Sequence, residues 1–96
     1  MYELKEKSYP MQPRERLELL GEEYLSDVEL LAILLRTGRK KYSSLNLALE
    51  LLQHFGTLDN FRKASISELK EISGIGQTKA IELRAMIELG KRIQTT

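Results

Sequence analysis

Ile72-Ser73-Gly74-Ile75-Gly76-Gln77-Thr78-Lys79-Ala80-Ile81-Glu82-Leu83 is the stretch on which the fold turns. A short segment of helical periodicity precedes it and a long one follows. Gly74 and Gly76 permit positive φ and carry no Cβ, so the backbone between two helices can turn tightly and let a foreign group approach its N–H groups. Ile75, between them, is expected to plug inward. The first N–H groups of the following helix have no intrahelical acceptor and lie at the positive end of its dipole, an arrangement that suits a phosphate. Lys79 in the first turn, beside Thr78, adds a mobile cation. Ala80 must be small if the two helices cross closely beneath the turn, while Ile72, Ile75 and Leu83 fill the core behind it.

Upstream of this turn, Ser65-Ile66-Ser67-Glu68 reads as a capping box opening about two turns of helix, with Ile66, Leu69 and Ile72 along one face. Downstream, a long helix runs from about Gln77 to Arg92 and carries Ala80, Ile81, Leu83, Ala85, Met86, Ile87, Leu89 and Ile93. Residues 57–64 have room for only a turn or two of connecting helix, packed by Leu58 and Phe61. Before them, Ser43 or Ser44 caps a helix ending near His54 and stopped by Gly56. Ser26-Asp27-Val28-Glu29 is another capping box. It opens a helix whose body, Leu30-Leu31-Ala32-Ile33-Leu34-Leu35, is apolar on every face and so is expected to be surrounded by protein. Thr37-Gly38 ends that helix, and Arg39-Lys40-Lys41-Tyr42 makes a basic loop. Pro13 suits the first turn of a helix over 13–20 that Gly21 closes, and residues 1–12 are left as an arm. Nothing alternates with period two, so the reading is all-α, with about five short helices plus an N-terminal helix.

The composition is that of one small domain: 96 residues, 42% hydrophobic, no Cys and no Trp. Without cysteine there is no disulfide frame, zinc-thiolate site or thiol nucleophile, and packing must carry the fold. No apolar run approaches the roughly 18 residues that span a bilayer, and the opening Met1-Tyr2-Glu3-Leu4-Lys5 lacks the order of a signal peptide, so a cytoplasmic location is expected. The formal net charge of +1 conceals an uneven distribution. Arg36, Arg39, Lys40, Lys41, Arg62 and Lys63 face only Glu50 and Asp59 across residues 36–63, while the first 35 residues are acidic. Arg39, Lys40 and Lys41 are therefore candidate phosphate contacts.

The pattern apolar-x-Gly-apolar-Gly-x-x-x-Ala-x-x-apolar, between a short and a long helix, resembles the helix-hairpin-helix motif of DNA-binding and DNA-repair proteins. The resemblance implies sequence-independent binding of a DNA backbone by Gly74, Ile75 and Gly76, helped by Thr78 and Lys79. A weaker counterpart lies at 36–44, with one glycine and a longer basic loop, where any phosphate contact would fall to Arg39, Lys40 or Lys41. Together with the full motif at 66–92, the order is similar to a tandem, SAM-like helix-hairpin-helix domain over 13–93, whose two hairpins would grip phosphates of both strands.

Three further stretches, Pro13-Arg14-Glu15-Arg16-Leu17, the run from Leu25 to Gly38, and Phe55-Gly56-Thr57-Leu58, are similar to the N-terminal region of the RadC family, historically labelled DNA repair proteins. That resemblance implies a DNA-binding module linked to repair or recombination, on duplex or branched DNA. In the family a metal-dependent JAB/MPN-type domain with a His-x-His and Ser/Asp zinc signature follows. No His-x-His occurs here, so residues 94–96 are read as the start of a linker to that missing C-terminal domain, itself a partner. The alternative reading is a protein-interaction or dimerisation module using the same helical hairpins.

Catalytic chemistry has little to stand on. His54 is the only histidine, and its place in the last turn of a helix explains it. Paired carboxylates such as Glu22 and Glu23 lack a convergent base or metal ligand. No catalytic residue, metal site or cofactor is expected.

Overall fold

A computed structural model describes residues 12–36 and 43–95. Every regular element among them is helical: α1 (Pro13–Leu20), a single 3-10 turn (Glu22–Tyr24), α2 (Asp27–Leu35), α3 (Ser44–Phe55), α4 (Leu58–Arg62), α5 (Ile66–Lys70) and α6 (Gln77–Thr95). The all-α reading holds, and the reasons are local. Pro13 occupies the first turn of α1, and Gly21 at φ 101° closes it by donating its N–H to the Leu17 carbonyl at 2.9 Å. Ser26 and Glu29 cap α2 reciprocally, Glu29 N–H to Ser26 Oγ at 3.2 Å and Ser26 N–H to Glu29 Oε1 at 2.9 Å. Ser65 and Glu68 do the same for α5 at 3.1 and 2.8 Å. Ser43 rather than Ser44 caps α3, accepting the Asn46 N–H at 3.1 Å.

Two helix pairs make the core, α2 against α3 and α5 against α6, with α4 bridging from the end of α3 to α5. Leu47, Leu51 and Leu52 of α3 and Leu69 of α5 are fully buried, each removal from water being worth about 2 kcal/mol. Ile72, Ile75, Ala80 and Leu83 join them as expected, so the plug between the glycines and the small residue at the helix crossing are both in place.

Several expectations need correction. α2 is not surrounded by protein. Val28, Leu31, Ala32 and Leu35 are buried, whereas Leu30 is exposed and Leu34 is 52% exposed, because the other described elements cover only one side of it. Phe61 packs the connector as foreseen, but Leu58 is exposed. α6 runs to Thr95, beyond the expected end near Arg92, and buries only Ala80 and Leu83 over its 19 residues. The end of α2 is set by Arg36, left-handed at φ 42°, whose N–H reaches the Ala32 carbonyl at 3.4 Å. The expected stop at Thr37-Gly38 lies outside the described residues.

Glu29 fills the expected capping role, but its burial and its link to α1 were not expected from the sequence. Glu29 is buried at 1% exposure and uses both carboxylate oxygens: Oε1 caps α2, and Oε2 accepts from Arg16 Nε of α1 at 2.6 Å. The buried charge is thereby paired, and α1 is fastened to the start of α2.

Candidate nucleic-acid interface

The turn between α5 and α6 brings the sequence candidates to one place. Gly74 takes φ 98°, a left-handed conformation that side chains resist, and a Cβ there would sit 3.0 Å from Leu47 Cδ1. Its glycine is required by the fold. Gly76 differs: its φ is not positive, and a Cβ built on it meets nothing within 4 Å. The expectation that both glycines serve the turn is corrected to one. Gly76 instead precedes α6 and accepts the first intrahelical bond, from Ala80 N–H at 2.9 Å, so the amides of Gln77, Thr78 and Lys79 are those that a helix start leaves without intrahelical acceptors.

Ile75 belongs to the core. Its side chain is buried and its N–H donates to the Ile72 carbonyl at 3.0 Å, so its part is to hold the turn. Lys79 is not the mobile cation expected from its position. Its Nζ donates to the Leu35 carbonyl at 2.8 Å, which caps the C-terminal end of α2 with a cation. This bond joins the α5–α6 turn to the point where α2 ends.

Around that bond lies a polar, solvent-open depression lined by Leu35, Arg36, Gly74, Gly76, Gln77, Thr78, Lys79 and Glu82. Arg36 and Lys79 supply positive charge, and Glu82 places a negative one among them. Gly74, Gly76, Thr78 and Lys79 are brought together there. Arg39, Lys40 and Lys41 lie outside the described residues, in the segment that begins directly after Arg36. Sequence reasoning missed Gln77 and Glu82 at the depression, and the bond that ties Lys79. Arg36 lies beside the α6 start because Lys79 reaches back 44 positions to its neighbour Leu35, a contact for which no local pattern exists.

A second basic side chain of α6 is also turned inward. Arg84 Nη1 donates to the carbonyls of Arg62 at 2.6 Å and Ala64 at 3.2 Å, capping the end of α4. Carboxylates held below their usual range lie away from the depression. Asp59 is lowered by hydrogen bonds from Lys63 and Arg62, Glu68 by the Ser65 backbone and side chain, and Glu88 by Arg92. His54 lies edge-on to Phe55 at 4.8 Å. Among the described residues, no group of three His, Cys, Asp or Glu side chains is placed to hold a metal ion, and no helix is long and apolar enough to cross a membrane.

The fold and site define a small all-helical domain in which two helix pairs meet at a polar depression formed by a helix start and a helix end. The comparisons with known proteins sharpen this. The family described as UPF0758 N-terminal matches residues 4–81, and the chain belongs to it. RadC-like proteins belong to the same family. The chain is similar to the UPF0758 protein LL1007 of Lactococcus lactis subsp. lactis (strain IL1403), at 84% identity over all 96 residues and 42% of that protein. It is also similar to the UPF0758 protein SPs0978 of Streptococcus pyogenes serotype M3 (strain SSI-1), at 52% identity over the same span and share. The chain thus spans less than half the length of these relatives. No solved structure matches it.

Proposed function

We propose that this chain is a non-catalytic, sequence-independent DNA-backbone-binding module of a RadC-like protein, built as a tandem helix-hairpin-helix domain. The observation that carries the reading is the convergence, in one depression, of the α6 start, the Gly74–Gly76 turn and the cationic end of α2. Amides at a helix start suit phosphate oxygens, and such contacts position a protein on DNA without reading its sequence. Gly76 supports it independently: the fold leaves open space where its side chain would be, and a phosphate is the kind of group that uses such space. The bases Arg39, Lys40 and Lys41 would extend the grip from the first hairpin to a second strand. The resemblance to RadC links this binding to repair or recombination.

A titration of labelled duplex and branched DNA, read by fluorescence anisotropy at several salt concentrations, tests the reading. The expected result is binding whose log K falls against log salt with a slope of about −2 to −4, at roughly 0.9 per phosphate neutralised. Folded protein that binds neither DNA at low salt overturns it. One alternative has a specific observation in its favour. Glu82 in the depression and the internal bond of Lys79 weaken the site's attraction for a polyanion, which favours a protein partner on the same hairpins. That reading gains if binding is absent.

A further inference from the structure

Away from the polar depression, the fold leaves an apolar groove with which it shares no lining residue. Leu30 and Leu34 of α2, Leu58 and Phe61 of α4, and Met86 of α6 form its walls, with Asp27 as its polar edge. A second depression adjoins it along α6 past Ile87, Gly90 and Gln94, edged by the charged Arg62, Arg84, Glu88 and Lys91. Leu89 and Ile93 of α6, 60% and 68% exposed, stand within a turn or two of Met86 but line neither depression. Neither Leu34 nor Leu58 belongs to the buried core, and no side chain of α6 after Leu83 is buried. Contiguous apolar surface of this kind on a small domain marks an interaction site.

What covers it is indicated by the relatives and by the course of α6. The chain matches 42% of a relative to which it is 84% identical, and its family describes an N-terminal region, so more than half of such a polypeptide comes after this one. α6 enters the groove at Met86 and runs on past it to Thr95, so whatever follows in the relatives leaves from a helix that borders the groove. A segment tethered there has an effective concentration reaching the millimolar range for a short linker, which a separate partner or second copy must exceed.

We infer that the groove between α2, α4 and α6 seats apolar side chains from the part of the polypeptide that follows α6 in the longer relatives, fixing that part against the helical domain. The inference does not depend on DNA binding.

Hydrogen exchange followed by mass spectrometry tests it on two proteins: this 96-residue chain, and the full-length Lactococcus lactis relative with this sequence in place of its own matching region. The expected result is exchange at least tenfold slower in α4 and in the second half of α6 of the long protein. Leu34→Asp with Leu58→Asp should return it to the rate of the short chain. Both leucines are exposed in the short chain, so an unchanged thermal melt of the same double variant there controls for folding. Equal exchange in the two proteins overturns the inference, as does protection that survives the double substitution. A short chain that sediments as a dimer, with α4 and α6 already protected, also overturns it and assigns the groove to a second copy.

Discussion

A methyl group added at Gly74 would press on Leu47 in the core and would have to live at φ 98°, whereas one added at Gly76 would enter open space. Gly74→Ala should therefore cost about 1–3 kcal/mol, read from the urea midpoint, as strained backbone positions do. Gly76→Ala should stay within about 1 kcal/mol of the parent, the scale of a changed helix cap. Its effect should appear on DNA instead, as an affinity loss of about tenfold, equivalent to 1.4 kcal/mol. Undiminished binding by Gly76→Ala would remove that amide from the interface. Glu82 offers the opposite test. Glu82→Gln should raise DNA affinity about threefold at low salt and lose the advantage as salt screens it, and an unchanged affinity would place the phosphates elsewhere. Lys79→Met deletes the bond to the Leu35 carbonyl and should lower stability by about 1 kcal/mol in the same urea measurement. A stability equal to the parent's would show that the bond contributes nothing in solution.

The helix starts were the most legible part of the chain because their signals are local. Ser26 with Glu29 and Ser65 with Glu68 are three positions apart in sequence and meet in the fold for that reason. The same boxes make acid a probe of the elements. Glu68 is held below its ordinary range by the Ser65 backbone and side chain, as Asp59 is by Lys63 and Arg62. A carboxyl lowered in the folded state adds stability above its unfolded pKa, and that contribution is lost as pH falls through the folded value. Thermal stability should thus decline from about pH 5 downward. Glu68→Gln keeps an oxygen for the cap but cannot titrate, so its decline should be shallower; an identical slope would show that this cap does not sense acid. Between elements the pattern failed. Nothing adjacent to Arg16 announces Glu29, thirteen positions on, although that pair fastens α1 to α2. Leaving Glu29 buried without its partner by Arg16→Met should cost about 3 kcal/mol, and a loss under 1 kcal/mol would show that solvent reaches the carboxylate.

For the whole molecule, the order of helices and the inward plug at Ile75 could be read from periodicity and glycine placement, because both depend on neighbours a few residues away. The side of each helix that remains uncovered could not. α2 is apolar all round, and only the assembled chain decides that Leu34 faces outward while Leu35 is buried. The candidate site was half legible for a related reason: its amides and glycines lie in one stretch, but the link between Lys79 and Leu35 exists only once both helix pairs have formed. That link has a kinetic meaning. A bond closing 44 positions carries a loop-closure cost that pairing of neighbouring helices does not, so it is expected to form after the rate-limiting step. In a chevron plot, Lys79→Met should then steepen nothing and leave the refolding limb in place, while unfolding accelerates by the full factor of its lost stability.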